Sequence, residues 1–431
     1  MKTTNTFKTI LLIIFGVGIL IAVIVFSLGG GGRDKKQNYG SVEIWGTLPQ
    51  NIVNEALKDI EDNITITYKQ KQETSLRQEL VEALASGYGP NIIILPHGKF
   101  IDYKKHLTPI PYEFFSEREF RDVYVAQAEL YLTKEGALAL PLLIDPMVMY
   151  WNRAIFSSHA VSRVPSVWED FNILAPTMTI RDNLTISRST IPFGQYANVS
   201  HAKDILSMLI MQAGAPIIAI NKGEMEVNVN KGIDIATPGS SAFKFFMAFS
   251  NPALPTYSWN RSLPQSKQVF ISGQSAVYFG YASEYDEIKK TNPHLDFDIA
   301  MVPQVRGAQK KLTFGKINGL AVLRNNNNKN GAFYAARLIT SGDIAKKLSQ
   351  GLQLPPAHRD LLAQKPDDAI LPVFYDSAHI SASWPDLSSK DTDTIFRDAV
   401  EGILSSRFSV DEAVEGLERQ LSQLVKVFVG E

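Results

Sequence analysis

Residues 140–156 read Leu140-Pro-Leu-Leu-Ile-Asp-Pro-Met-Val-Met-Tyr-Trp-Asn-Arg-Ala-Ile-Phe156. The apolar run has the length of a buried strand, with Asp145 bracketed by two prolines and an aromatic pair behind it. It is expected to carry the chain out of a first lobe. Upstream, Ser41–Gly46 and Ile64–Lys69 read as strands, and Asn51–Ile60 as a helix with Ile52, Ala56 and Ile60 on one face. Ser75-Leu-Arg-Gln78 resembles a capping box opening a helix to about Ala85, and Asn91–Leu95 is a short buried strand. Strand–helix–strand–helix–strand at this spacing predicts a parallel sheet covered by helices.

Downstream, Ser166-Val-Trp-Glu169 is another capping-box candidate, and Ile205–Ala213 and Ser241–Phe249 read as buried helices. Val277–Gly280 and Phe297–Val302 read as strands, and Lys311–Leu323 as a strand pair or a bend around Gly315 and Gly319. The tract Arg324–Asn330 is expected to be a polar surface turn. Gly331–Thr340 and Asp343–Gln350 form a helical pair, and Ser409-Val-Asp-Glu412 opens a last helix. No repeat of fixed period is present, so two α/β lobes are the economical reading.

The chain has 431 residues, 45% of them hydrophobic, with 43 Lys+Arg against 44 Asp+Glu and no cysteine. That length suits two domains. The balanced charge speaks against nucleic acid as a partner. Lack of cysteine removes disulfides, thiolate zinc sites, cysteine nucleophiles and cysteine-linked lipid anchors. Thr9–Leu28 (TILLIIFGVGILIAVIVFSL) carries no charge, and twenty helical residues span roughly 30 Å, a bilayer's hydrocarbon core. A signal peptide has an apolar region of only about 7–15 residues. The expectation is a short cytoplasmic tail (1–8), a single transmembrane anchor (9–28), a flexible tether (29–40) and a body outside the cytoplasm, at the cell membrane. Ser27-Leu28-Gly29 leaves cleavage open as the alternative.

Catalytic signatures are missing. The seven histidines include no HExxH or His-x-His pair, no phosphate-binding loop is present, and Gly273-Gln-Ser-Ala-Val277 fails as a nucleophile elbow at its last position. Asp and Glu are too numerous for a glycosidase pair to stand out. The sequence asks for no enzyme, metal or cofactor.

Several stretches resemble the extracellular solute-binding proteins of the maltose-binding-like group that serve ABC importers. There a "P-x-x-x-D" run precedes a strand ending in "Y-Y-N-K-x-x-F", where this chain has Tyr150-Trp-Asn-Arg153 and Phe156. Val164-Pro-Ser-Val-Trp-Glu-Asp-Phe171 is similar to the family's "P-x-T-W-[DE]-[DE]-[LF]". Phe270–Tyr281 resembles "F-x-x-G-x-A-A-M-x-x-x-G-x-W", and Ile299–Gln304, Phe314–Val322 and Gly351–Arg359 match later segments in the family's order. Tyr281 stands where Trp is common, Ser275 replaces the first Ala and Val277 the Met. The family's lipoprotein cysteine is absent, and the apolar segment would take over its anchoring role.

The resemblance implies a two-lobed, periplasmic-binding-protein-like α/β fold, with hinge strands and a ligand cleft. The first lobe would take 41–144 plus 299–330, the second 145–298 plus 331–431. By the same analogy Trp45, His97, Asp145, Trp259, Tyr281, Phe314, Asn318 and Trp384 are ligand-binding candidates, each aromatic having core packing as its ordinary alternative. Aromatic faces with Asp, Asn and Lys nearby suit a carbohydrate. The expected partners are a small polar solute and the permease subunits of an ABC importer. An anchored glycan-active hydrolase and a ligand-sensing module without transport are the alternatives.

Overall fold

The computed structural model describes residues 38–60, 63–221, 224–232, 237–308 and 310–430. The expected tail, the span Thr9–Leu28 and the tether up to residue 37 lie outside the described residues. Among the described residues, no helix is long and apolar enough to cross a membrane. The end of the expected tether is already docked: the Tyr39 ring stacks on Tyr334 at 3.8 Å, and Tyr39 N–H donates to Asn63 O.

The strands are β1 (Gly40–Gly46), β2 (Ile64–Gln70), β3 (Ile92–Pro96), β4 (Leu107–Thr108), β5 (Leu140–Asn152), β6 (Ile180–Asp182), β7 (Thr185–Arg188), β8 (Ile217–Asn221), β9 (Glu224–Asn228), β10 (Val277–Tyr281), β11 (Phe297–Ala300), β12 (Thr313–Leu323) and β13 (Ser381–Ala382). The main sheet runs β10-β5-β12-β3-β1-β2, with β11 on β5 and β4 and β13 on β12. β1 pairs parallel with β2 and β3, as the strand–helix alternation predicts. β3 is almost wholly apolar and buried, as expected of a parallel strand covered on both faces.

Strand β5 shows why residues 140–156 decide the fold. Its first half (Leu140–Pro146) pairs with β12 and its second half (Met147–Asn152) with β10 and β11. One strand therefore belongs to both lobes. β12 is a single strand rather than a pair, and the irregularity sensed at Gly319 is a register shift against β5 between Asn318 and Gly319.

Two hydrophobic clusters fill the lobes. The first gathers Val42, Ile92, Leu95, Leu320 and Val322; the second gathers Phe171, Phe193, Phe246, Trp259 and Phe279. The helices Lys329–Thr340 and Gly342–Leu352 contradict the expectation that 331–431 belongs to the second lobe. Ala332, Ala335, Ile339 and Leu348 join the first cluster, and the two helices contact β1, β12 and the helix Gln50–Leu57. Their apolar stripe specifies a buried face but not the sheet that buries it. The chain returns to the second cluster only with Trp384, Phe396 and Leu417.

Local chemistry at helix ends partly follows the sequence. Ser409 and Glu412, where the sequence opens the last helix, form a capping box, with Glu412 N–H donating to Ser409 Oγ and Ser409 N–H to Glu412 Oε2. Ser75 is no cap, because that helix starts at Glu73 behind Gln72, and its hydroxyl donates to Glu79 instead. Ser166 likewise gives way to a short 3-10 turn at Trp168–Asp170. The Asn tract is more than a turn: Asn328 accepts from Gly331 N–H, opening the helix Lys329–Thr340, and donates to Ser41 O.

Candidate functional site

A cavity of about 1260 Å³ lies between the lobes. Its first-lobe wall comes from the β1 and β3 ends and the turn after β3, including Thr47, His97 and Lys99. Its second-lobe wall comes from the amino end of the helix Ala202–Gln212 and the segment around Trp384. Asp145, Phe314, Lys316 and Asn318 of the crossing strands line it as well. A smaller hollow of about 340 Å³ adjoins it and shares Asp145, His201, Ser283 and Lys316.

Five of the eight sequence candidates, His97, Asp145, Phe314, Asn318 and Trp384, line the cavity. Tyr281 lines the adjoining hollow. Two candidates are elsewhere. The Trp45 indole N–H donates to Glu43 Oε1 (2.6 Å), and its ring lies under the Lys71 ammonium (3.9 Å). Trp259 is fully buried in the second-lobe core, donating to Asn198 Oδ1 (3.0 Å). Position at a strand end does not fix which face a side chain takes, since alternate residues point to opposite faces.

The lining side chains are held in place by the protein itself. His97 Nδ1 accepts the Ile317 backbone N–H (3.3 Å). Burial, opposed by Asp204 and helped by Lys316 and Lys203, pulls its pKa down to about 4. The neutral ring therefore carries its proton on Nε2, a fixed donor. Asp145 accepts from Ser283 N–H (3.0 Å) and Ser283 Oγ (2.6 Å). Burial outweighs these bonds and raises its pKa above the ordinary carboxylate value. Tyr281 donates its hydroxyl to Asp204 (2.6 Å). Burial works to raise the Asp204 pKa, but Lys316, Lys203, His201 and the Tyr281 hydroxyl outweigh it and leave a net lowering.

Around the smaller hollow, Glu284 gathers four donors: His201 Nε2 (2.7 Å), Tyr278 Oη (2.7 Å), Tyr281 N–H (2.8 Å) and Lys267 Nζ (3.1 Å). Gly280 has no side chain for a reason visible here: a Cβ would stand 2.9 Å from Glu284 Oε1 and 2.4 Å from the Tyr278 ring. In the second-lobe wall, Lys203 pairs with Asp386 (2.6 Å), which also accepts from Thr392 (2.8 Å). This pair pins the segment that carries Trp384. The indole N–H donates to Ser207 Oγ (3.1 Å), and the ring stacks on Phe396.

Sequence reasoning missed His201, Lys203, Asp204, Glu284, Lys316 and Asp386. One signal was available: Lys316 is the only charged residue in the strand Thr313–Leu323, and a lone charge in a buried strand calls for a polar cavity. Among the described residues no group of His, Cys, Asp and Glu is arranged to hold a metal ion. The arrangement supplies fixed donors and acceptors around an aromatic ring, which suits a polar, non-covalently held ligand.

No curated relative matches the sequence. Solved structures share the fold at low identity. A cyclo/maltodextrin-binding protein complexed with maltotetraose aligns at 13% identity with a TM-score of 0.70, covering 90% of this chain and 98% of that one. The maltose-binding periplasmic protein of Listeria monocytogenes, in complex with maltose, gives 13% and 0.69 over 90% and 99%. An ABC transporter solute-binding protein of Thermotoga lettingae, bound with α-D-tagatose, gives 16% and 0.66 over 90% and 100%. The family model described as bacterial extracellular solute-binding protein matches residues 42–341, and the chain belongs to that family.

Proposed function

We propose that the protein is a membrane-tethered receptor that captures a carbohydrate in the inter-lobe cavity and delivers it to an ABC importer, without covalent chemistry. The observation that carries this reading is a cavity walled by both lobes, floored by the two crossing strands and lined by pre-positioned polar groups around Trp384. Closure of the lobes around a ligand requires contacts on both walls. Near-balance of acidic and basic lining groups suits a neutral, hydroxyl-rich solute. The neighbours in fold hold tagatose, maltose and maltotetraose, which places sugars first among ligands to test. His97, Asp145, Tyr281, Phe314, Asn318 and Trp384 are proposed ligand contacts.

The segment Thr9–Leu28 is proposed to hold the body at the outer face of the cell membrane. Intact cells exposed to added protease should lose the body, and a fully protected body would overturn this placement.

The binding reading is tested by thermal shift of the purified protein over mono- and oligosaccharides, with the recovered sugar checked by mass spectrometry. A sugar that raises the melting temperature and returns intact supports capture. Turnover of the sugar would establish the hydrolase alternative. Binding without loss of uptake in a deletion strain would favour sensing over transport.

A further inference from the structure

Lys316 differs from the charged groups around it. Asp145 is engaged by Ser283, Asp204 by Tyr281, and His201 by Glu284. The Lys316 ammonium makes no hydrogen bond or ion pair with another described residue; it rests on the face of the Tyr281 ring, 3.8 Å from the centroid. That ring is itself locked by its hydroxyl bond to Asp204. A cation held against an aromatic face keeps N–H donors to spare. Register fixes its origin, since Lys316 lies opposite Asp145 across the β5–β12 pair. It borders both the main cavity and the smaller hollow.

The hollow resembles a continuation of a ligand site rather than a packing defect. Its walls include Ser200, Tyr278, Glu284 and Lys267, groups that bond hydroxyls, and it meets the main cavity at four shared residues. A void left by imperfect packing would be apolar and closed.

We propose that the ligand is a glycan of more than one ring, whose end passes Tyr281 into the smaller hollow, and that Lys316 selects it by donating to an oxygen at the junction. This rests on the sugar-binding reading above. A hydrogen bond from a charged donor to a ligand oxygen is strong enough for its loss to lower affinity by tenfold or more, on the order of 10–100-fold.

The test is calorimetric titration of the wild-type protein, Lys316→Met, Lys316→Arg and Ser200→Leu with glucose, maltose, maltotriose, maltotetraose and tagatose. Expected is binding of at least one oligosaccharide, loss of about tenfold or more in Lys316→Met, and partial recovery in Lys316→Arg. Ser200→Leu, which narrows the hollow, should weaken the longest bound sugar more than the shortest. Because the ammonium also supports the buried Asp204 carboxylate and rests on Tyr281, free Lys316→Met should melt somewhat below wild type, and circular dichroism checks that it is folded at the titration temperature. Unchanged oligosaccharide affinity in both Lys316→Met and Ser200→Leu overturns the proposal while leaving sugar capture standing. Preference for a monosaccharide also overturns it. Binding of none of the five sugars overturns the proposal and the sugar reading together.

Discussion

Removing the charge of Glu284 should cost the protein stability in a pH-dependent way. Burial alone would raise this carboxyl, but the bonds and charge of His201, with those from Tyr281 N–H and Tyr278, lower its pKa from 4.5 to about 2. A shift of that size, at about 1.36 kcal/mol per unit, corresponds to about 3 kcal/mol. The side chain is only 11% exposed, so solvent screening takes little of it. The sign follows from linkage. A depressed carboxylate pKa contributes stability that is fully present above the unfolded value near 4.5 and lost as pH falls toward 2. Glu284→Gln should therefore be about 3 kcal/mol less stable than wild type near pH 7, by urea unfolding. The gap should close between about pH 4.5 and 2. Other carboxylates with lowered pKa, such as Asp204 and Glu79, titrate in both proteins and cancel in the difference. A gap that stays constant from pH 7 down to pH 3 would refute the assignment and leave Glu284 as an ordinary packed side chain.

Asp145 carries the opposite sign. Its pKa is raised by burial, so the ionised form costs stability that returns as pH falls below the folded value. Asp145→Asn, which keeps an acceptor and a donor for Ser283, should be at least as stable as wild type near pH 7, the difference vanishing below about pH 4; urea unfolding at both pH values decides it. Lys203→Met should destabilise by about 3–5 kcal/mol because it strands the buried Asp386 carboxylate, and the double variant Lys203→Met/Asp386→Leu should recover most of that loss. Trp259→Ala should cost about 3–5 kcal/mol through a core cavity, whereas Trp384→Ala should in addition weaken sugar binding by calorimetry without abolishing it, and equal affinity losses in the two would contradict their placement.

How far the sequence carries can be read from three places. β5 was legible because a long apolar run broken only by a bracketed Asp has few alternatives to a buried crossing strand. The helices after Asn328 were legible as helices but not by lobe, since amphipathic spacing names a buried face and not its partner. The aromatic candidates split for a related reason. Trp384 and Tyr281 border the cavities although each is only 2% exposed, while Trp45 and Trp259, equally conspicuous in sequence, turn to Lys71 and to Asn198. The Glu284 cluster was hidden because its members lie far apart in sequence, with His201 and Glu284 83 positions apart. Only the third dimension brings them together.

The distribution of satisfied and unsatisfied groups says where conformational freedom has been left. His97 is fixed by a strand amide, Asp204 by a tyrosine, and the Trp384 segment by a buried ion pair. Each wall is thus ordered before any ligand arrives, and little side-chain entropy remains to be lost on binding. The continuous strands between the walls, β5 and β12, carry Asp145 and Lys316 side by side, next to the point where β5 passes from pairing with β12 to pairing with β10. Lobe movement about that point would change the distance between the walls most and the positions of Asp145 and Lys316 least. A ligand that reaches Lys316 then touches a reference common to open and closed forms, and its contacts with the far walls alone discriminate between them. Only that differential contact can drive closure. It follows that Lys316→Met should weaken binding to both forms about equally, whereas Trp384→Ala should weaken closure itself, a separation that small-angle scattering with and without saturating sugar would reveal.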